Sequence, residues 1–294
     1  MNEENPEKNG FVVVDKESGW TSHDVVARTR KKLNMRKVGH SGTLDPPATG
    51  LLILGIGKAT RLLRYITELQ KEYAATMVLG SETDTLDAEG EVTKTTNNLP
   101  TLDQLRNNAR TFVGEIEQIP PMITAVKVQG KRLYELAREG KDIPRKPRQI
   151  VVNEIYISET SEQNVFRINV KCGSGTYIRS LVADIASKSG SLAHVGSLRR
   201  TAIGSFTESM AKRVEELQLI SMTNGLRDYE KIEVTEKIAK QVMVGSVMEE
   251  RQFGTNSTNG PWVVVDPADN LLAVYEKHKH GTVKPAVVIT QESQ

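Results

Sequence analysis

The chain has 294 residues, of which 38% are hydrophobic and 26% are charged, and its formal net charge is +2. This composition is typical of a folded globular protein rather than a disordered or membrane one, and the length suits one large domain and one small one. The first ten residues are polar, without the apolar core of a signal peptide, and no apolar run is long enough to cross a bilayer. A cytoplasmic protein is therefore expected.

The cysteine and histidine content gives no indication of a metal site. Cys172 is the single cysteine, which excludes an intramolecular disulfide and a cysteine-rich zinc site. The five histidines do not show the spacing of a metal-binding motif such as H-E-x-x-H. We expect Cys172 to be a small apolar strand residue and the protein to use no metal or other cofactor.

Short apolar runs and period-two alternation predict strands, and a 3.6-residue period predicts helices. Helices are expected after a capping box formed by Thr21 and Asp24, over residues 101–113, and after the glycine turn at 173–175. Residues 38–50, dense in glycine, proline and threonine, are expected to form an irregular loop. Strands are expected at residues 11–14, 51–56, 73–79, 151–157, 166–172, 262–265, 271–275 and 283–289, with a turn at 87–90 before a return strand from Val92.

The order of these elements indicates the fold class. Strands and helices are mixed without strict βαβ alternation, so the pattern predicts an α+β protein. A domain boundary is expected near Asp228. Residues 1–10 are then a disordered N-terminus, 11–228 the large domain, and 229–294 a small β-rich domain close to the lower size limit for independent stability.

Positive charge is concentrated in residues 118–150, called here the insertion. Eight basic residues stand there against three acidic ones, so the remainder of the chain is net negative. Prolines at both ends predict an excursion from the core, with a short helix near residues 132–138. On charge alone, a surface that faces phosphate and an ordinary solvated loop are equally good interpretations.

The glycines near residues 55–60 do not form a phosphate-binding loop. A P-loop requires glycine at the position of Leu52 and serine or threonine at that of Ala59. A dinucleotide-binding fingerprint requires glycine at the position of Thr60. Both interpretations are excluded.

Asp45 and Arg179 are candidates for a catalytic pair. Asp45 lies in a loop beside a predicted strand, where catalytic groups are common, although an aspartate before proline is also an ordinary turn residue. Arg179 opens a predicted helix and would keep a neighbouring carboxylate ionised, although it could equally be a surface helix residue. Sequence spacing alone does not decide whether the two residues meet.

Residues 39–50, GHSGTLDPPATG, closely resemble the active-site motif of the TruB family of tRNA pseudouridine synthases. The resemblance runs from about residue 10 to residue 207, and the C-terminal part resembles the family's PUA-like RNA-binding module more weakly. Glu17 and Pro47 differ from the residues usual in the family, which alters the stiffness of their loops. Further stretches that resemble family motifs, in the family's order, are DKESG at 15–19, KEY at 71–73, GTYIR at 175–179, HV at 194–195 and LRR at 198–200.

This resemblance implies a pseudouridine synthase fold, with a central mixed, mostly antiparallel sheet flanked by helices and a C-terminal β-rich PUA-like domain. It implies isomerisation of the T-loop uridine, position 55 of tRNA, by base flipping, glycosidic bond cleavage and reattachment through C5. The implied partner is the T-stem and loop of tRNA, bound by a monomer without guide RNA. From Tyr229 onward, nine acidic residues stand against seven basic ones, which argues against strong RNA binding by the C-terminal part.

The resemblance also implies roles for individual residues. Asp45 acts as the catalytic carboxylate, either by covalent attack or by removing a ribose proton, and Arg179 holds it. Tyr73 stacks on the flipped uracil and assists removal of the C5 proton. His40 fills space in the active-site loop. The substrate-binding residues are Lys16, His40, Tyr177 and Leu198, together with Lys127, Lys131, Arg132 and Arg148 as phosphate contacts in the insertion.

Three alternatives stay open at this point. A non-catalytic tRNA chaperone needs the insertion and Tyr73 but not Asp45. A guide-RNA-dependent synthase shares the motifs but usually lacks such an insertion and works inside a multiprotein particle. A glycosidase needs two placed carboxylates, and the motif offers only Asp45.

Overall fold

The computed structural model describes residues 9–122, 143–254 and 259–289, and the backbone of 127–128 and 131–132. Within these ranges the α-helices are α1 Ser22–Leu33, α2 Leu63–Glu68, α3 Leu102–Ala109, α4 Ile178–Lys188, α5 Met222–Gly225 and α6 Glu236–Met243. The strands are β1 Gly10–Lys16, β2 Val38–His40, β3 Thr49–Ile56, β4 Lys71–Leu79, β5 Ser81–Thr83, β6 Val92–Thr95, β7 Gly114–Gln118, β8 Lys127–Val128, β9 Lys131–Arg132, β10 Arg148–Glu159, β11 Val165–Cys172, β12 Ala193–Ile203, β13 Phe206–Thr207, β14 Leu219–Ile220, β15 Glu230–Glu233, β16 Met248–Glu249, β17 Trp262–Val265, β18 Leu271–Lys277 and β19 Thr282–Val288. Short 3-10 helices occur at Gly57–Leu62, Arg110–Phe112, Glu208–Met210, Val214–Glu216 and Glu250–Gln252.

Ten of the described strands form one large sheet, in the order β14-β1-β3-β12-β4-β11-β10-β7, with β2 beside β3 and β13 beside β12. The β3–β12 pair is parallel, and the other pairs of this sheet are antiparallel. A second sheet has the order β15-β17-β18-β19-β16. The predicted α+β class, with a mixed and mostly antiparallel central sheet and a smaller β-rich part after it, is confirmed.

Strands β1 and β3 are covered on both faces, which explains their unbroken apolar sequences. One face packs against α1 through residues such as Val12, Leu52 and Val25. The opposite face packs through residues such as Phe11 and Leu51 against α2 and the second sheet. This half of the sheet is therefore an interior layer that can hold the neighbouring loop firmly.

Strands β4, β11 and β12 pack on α3 and α4 in a separate apolar cluster. Leu105 and Ala109 of α3 and Leu181 and Ile185 of α4 contribute buried side chains to it. Because the buried face of α4 is fixed in this way, the N-terminal turn of α4 has a defined place beside the sheet. That turn carries Arg179.

Most of the predicted elements lie where the sequence placed them, and the differences have physical reasons. The capping box of Thr21 and Asp24 is present. The predicted loop at 38–50 is irregular only in its middle, because Val38–His40 pairs with β3. The predicted helix at 101–113 changes to a 3-10 turn after Ala109. The helix expected near 132–138 lies outside the described residues apart from the first position, which belongs to β9.

Strand β12 was not predicted, although it lies near the centre of the large sheet. Its sequence, AHVGSLRRTAI, lacks a clean apolar alternation. Two register irregularities against β4 interrupt its pairing. Part of the strand borders a cleft rather than the core, so polar residues stand at positions that would otherwise be apolar.

The second sheet begins at Glu230, next to the predicted boundary at Asp228. It has an apolar cluster of its own, which includes Trp262 and Tyr275. It also shares the cluster of β1 and β3 through residues such as Val263 and Leu271. The division into a large domain and a domain of residues 229–294 stays a prediction. Among the described residues, none of the helices has the length and apolarity needed to cross a membrane.

Candidate active site

The loop between β2 and β3 carries Asp45 and is fixed by hydrogen bonds from other elements. The amide of Leu44 donates to the hydroxyl of Ser22 in α1 at 2.9 Å. The amide of Gly19 donates to the carbonyl of Pro46 at 2.8 Å. The loop is thus irregular in shape but held on both sides of the aspartate, as the placement of a reactive group requires.

The carboxylate of Asp45 meets the guanidinium of Arg179. Nη2 of Arg179 lies 3.0 Å from Oδ2 of Asp45, and the arginine side chain is 4% exposed against 35% for the aspartate. Nη1 of the same arginine lies 3.6 Å from Oδ2 of Asp87 and donates to the carbonyl of Thr85. One buried guanidinium therefore joins two carboxylates from different loops through two nitrogens of its rigid fork. The alternative of a surface helix residue is excluded.

Asp87 is held in turn by the hairpin of β5 and β6. Its Oδ1 accepts a hydrogen bond from the hydroxyl of Thr85 at 2.6 Å and from the amide of Glu89 at 3.1 Å. These bonds orient the carboxylate so that Oδ2 faces Arg179. The sequence motif offers one carboxylate, Asp45, and the fold adds a second from a turn that is distant along the chain.

Lys16, at the end of β1, holds the loop through hydrogen bonds from its ammonium group. Its Nζ donates to the carbonyls of Glu17 at 3.0 Å, Trp20 at 2.6 Å and Pro46 at 3.1 Å. Burial lowers the pKa of Lys16 to about 8, and the negative charge of Asp45 opposes part of this change. The lysine thus fixes the carbonyl of the residue that follows Asp45.

Tyr73 and Arg200 form the opposite wall, since they are paired directly across the antiparallel strands β4 and β12. Arg200 is 1% exposed. Its Nε donates to the carbonyl of Leu51 at 2.7 Å and its Nη2 to that of Gly42 at 3.3 Å. Burial raises the pKa of the Tyr73 phenol, and the positive charge of Arg200 offsets this only in part. The phenol is therefore neutral at neutral pH.

Lys71 and Thr67 connect the end of α2 to the same loop. Nζ of Lys71 donates to the carbonyls of Thr67 at 2.5 Å and Leu69 at 2.6 Å. The hydroxyl of Thr67 donates to the carbonyl of Ser41 at 2.8 Å. Burial and, to a smaller extent, the nearby charge of Arg200 lower the pKa of Lys71 to about 8. Buried cations thus stand on several sides of the cleft.

Asp45 and Arg179 lie between two neighbouring clefts. The first has a volume of about 450 Å³, and Tyr73 and Tyr177 are among its walls. The second has a volume of about 340 Å³ and lies between the loop of Asp45 and the turn of Asp87. Clefts of this size accommodate a group as large as a nucleoside.

The other predicted pocket residues differ in how close they lie to the cleft. Tyr177 lines the first cleft, and Leu198 borders both. His40 is half-buried at the end of β2, accepts a hydrogen bond on Nδ1 from the amide of Gly42 at 3.3 Å, and packs edge-on against His23. Burial lowers the pKa of His40, so the imidazole is neutral at neutral pH. It is absent from the described residues that line the first cleft, which suits a space-filling role better than contact with substrate.

The structure describes only part of the residues that were predicted to contact phosphate. Arg148 is exposed at the start of β10, opposite Gln118 of β7. Lys127 pairs with Arg132 in the two-stranded ladder of β8 and β9. The side chains of Lys127, Lys131 and Arg132 lie outside the described residues. Their contact with phosphate stays a prediction.

Three residues of the site were not assigned a role from the sequence. Lys71 and Arg200 lie inside stretches that carry the family resemblance. A cation beside an apolar strand within such a stretch was the sequence signal that could have identified them. Asp87 gave no signal, because D-A-E-G is an ordinary turn sequence. Its importance depends on the approach of Arg179.

Comparison with known proteins gives consistent relatives over the whole chain. The model of the TruB family pseudouridylate synthase N-terminal domain matches residues 30–178, and that of the tRNA pseudouridylate synthase B C-terminal domain matches residues 179–234. The tRNA pseudouridine synthase B of Oceanobacillus iheyensis is 38% identical, over 97% of this chain and 99% of the relative. The protein of the same name from Thermobifida fusca is 38% identical, over 95% of this chain and 98% of the relative.

Among solved structures, the chain is similar to one in a crystal structure of a Cbf5-Nop10-Gar1 complex. The identity is 27% and the TM-score 0.72, covering 95% of this chain and 84% of that one. The first family match contains Asp45 and Tyr73, and the second begins at Arg179. The residues on both sides of the cleft therefore lie in the matched sequence. The chain belongs to the TruB family of pseudouridylate synthases.

Proposed function

We infer that this protein converts the T-loop uridine of tRNA, at position 55, to pseudouridine. The target base is flipped into the cleft, and its bond to the ribose is broken. The base then turns and is rejoined to the ribose through C5. Family membership and curated relatives that align over nearly their whole length support this activity.

The observation that carries the inference is the pairing of Asp45 with Arg179 at the boundary of the two clefts. A buried guanidinium at 3.0 Å fixes the direction of the carboxylate. Asp45 is still partly exposed, so it can reach a group that enters from solvent. Both attack on the ribose and removal of a ribose proton require a carboxylate that is held in this way.

Tyr73 offers the flipped uracil an aromatic face. Unstacking a base from a folded loop costs a few kcal/mol, and stacking on an aromatic side chain recovers roughly 1–3 kcal/mol. The phenol is neutral, which suits stacking better than proton removal at neutral pH. Leu198 adds an apolar wall beside the base.

The insertion holds the T-stem and loop through Lys127, Lys131, Arg132 and Arg148. Its net positive charge supports this assignment, since RNA binding by cations releases condensed counterions. The protein acts as a monomer in the cytoplasm on free tRNA, without guide RNA. Residues 229–294 form a PUA-like domain whose slight acidity leaves most of the phosphate binding to the insertion.

Pseudouridine formation on an unmodified tRNA transcript tests the activity. The wild type converts the T-loop uridine, whereas Asp45→Asn binds tRNA normally and loses at least about 1000-fold in rate. Asp84→Asn is the matched control, because Asp84 is an exposed carboxylate of the neighbouring hairpin and should leave the rate unchanged. If the wild type binds tRNA but forms no pseudouridine, the protein is better described as an RNA chaperone.

The role of the insertion is tested by replacing Lys127, Lys131, Arg132 and Arg148 with alanine. Loss of four phosphate contacts should weaken tRNA binding and reduce the slope of log K against log salt by about 3. The matched control replaces four exposed lysines of the second sheet and its helix, namely Lys231, Lys237, Lys240 and Lys284. An unchanged salt slope in the first variant, or an equal change in both, contradicts the assignment.

A further inference from the structure

Gln118 stands where the insertion leaves the large sheet. It is the last residue of β7 and pairs with Arg148, the first residue of β10, so these two positions close the base of the insertion. Gln118 is nonetheless 2% exposed. A buried polar side chain at the rim of a sheet needs partners, since an unpaired amide in the interior is costly.

The Gln118 side chain forms two hydrogen bonds, both with the backbone of Tyr177, which lines the first cleft. Its Nε2 donates to the carbonyl of Tyr177 at 3.0 Å, and its Oε1 accepts from the amide of Tyr177 at 2.8 Å. Tyr177 is the N-cap residue of α4 and forms no capping hydrogen bond with its own side chain. The Gln118 amide thus fixes the backbone from which α4 begins.

Two further hydrogen bonds join the same elements. The hydroxyl of Ser180 in α4 donates to the carbonyl of Ile119 at 3.2 Å. The amide of Gly173 donates to the carbonyl of Val151 in β10 at 2.8 Å. Both strands at the base of the insertion are therefore attached to the turn and first helical residues that carry Arg179.

We propose that Gln118 is a positioning residue that couples the base of the RNA-binding insertion to the turn carrying Tyr177 and Arg179. The insertion holds the RNA backbone and Arg179 holds Asp45, so the amide bridge sets the position of the bound RNA relative to the carboxylate. This inference rests on the proposed function of the insertion and of Asp45. We therefore expect Gln118 to affect the rate of turnover and not the affinity for tRNA, because its side chain contacts the protein backbone and not the RNA.

The test uses the full chain with Gln118→Met, which keeps the length of the side chain and removes both hydrogen bonds. At saturating tRNA the single-turnover rate should fall about 10- to 100-fold, the loss expected from a small misplacement of a reacting group. The tRNA dissociation constant should stay within about twofold of the wild-type value, since no phosphate contact is lost. Gln149→Met is the matched control, because Gln149 is an exposed glutamine at the next position of β10 and should change neither quantity.

Two more variants separate positioning from loss of folding. Gln118→Asn keeps both the donor and the acceptor on a side chain one methylene shorter, so its rate should lie between those of the wild type and Gln118→Met. Ser180→Ala removes only the second attachment, and a smaller fall in rate at unchanged affinity is expected. The inference is overturned if the wild type is active and Gln118→Met keeps its rate, or if its defect lies in the dissociation constant instead. A wild type that binds tRNA and forms no pseudouridine contradicts the proposed function itself.

Discussion

The cleft of the large sheet and the second sheet differ in what they bury. Around the cleft, Lys16, Lys71, Arg179 and Arg200 are buried cations with hydrogen-bonded partners. In the described part of the chain after Gly225, the buried residues are hydrophobic, and the charged ones remain at least partly accessible. A buried, paired charge is often no more stabilising than an apolar side chain of the same size, so function explains these cations better than stability does. They hold the loop of Asp45 and supply positive potential to an anionic substrate.

Among the tests of this difference, removal of Arg179 should have the largest effect. Arg179→Met leaves Asp45 and the buried Asp87 without their shared cation, so activity should be lost and the free energy of unfolding should fall by about 3 kcal/mol. Arg179→Lys keeps the charge but has one nitrogen in place of the two that meet Asp45 and Asp87, so it should recover stability more than activity. Rate measurements with denaturant titrations check both effects. A fully active Arg179→Met would remove the basis for the catalytic pair.

A cavity made in the second sheet should have the opposite effect, because it should lower stability and leave the reaction rate unchanged. Leu272 is buried in the cluster that belongs to this sheet, and Leu272→Ala should cost about 2–5 kcal/mol of unfolding free energy. The single-turnover rate at a temperature where the variant is folded should equal that of the wild type. A rate defect in the folded variant would show that the second sheet positions the cleft as well as stabilising the chain.

Neutralising Asp87 should affect the rate more than the fold. Asp87→Asn keeps the acceptor for Thr85 and Glu89 but releases Arg179 from one of its two carboxylates. The rate should fall about tenfold or more at unchanged tRNA affinity, because the guanidinium that orients Asp45 shifts. Asp84→Asn in the same hairpin is the control. Equal rates for these two variants would mean that Arg179 needs only Asp45.

The smallest expected effect is a pH dependence. Burial lowers the pKa of Lys16 and of Lys71 to about 8, below the ordinary value of 10.5. Above pH 8 the folded protein loses these protons before the unfolded chain does, so their contribution to stability rises between about pH 8 and pH 10.5. The neutral amine of Lys16 can donate only two of its three hydrogen bonds, so the rate should fall as the pH rises through about 8. A rate that stays level up to about pH 10 contradicts this role.

Local sequence was sufficient for much of the fold because the relevant signals are local. The capping residues Thr21 and Asp24, the apolar strands and the glycine turn before α4 are set by backbone preferences and periodicity. Strand β12 escaped prediction because its residues face a cleft and its pairing is interrupted. The short strand β2 escaped because its partner β3, rather than its own composition, makes it extended.

For the site, the sequence determined the chemistry available, and the tertiary structure decided which groups meet. The stretch from residue 39 to 50 placed a carboxylate in a loop, and its resemblance to the TruB motif predicted Asp45 as the reacting group. The contact of Arg179 with Asp45 and Asp87 joins parts of the chain that are far apart in sequence. The attachment of Gln118 to Tyr177 does the same for the insertion. Such contacts depend on how the packed sheet brings its loops together, a property that no local pattern of residues contains.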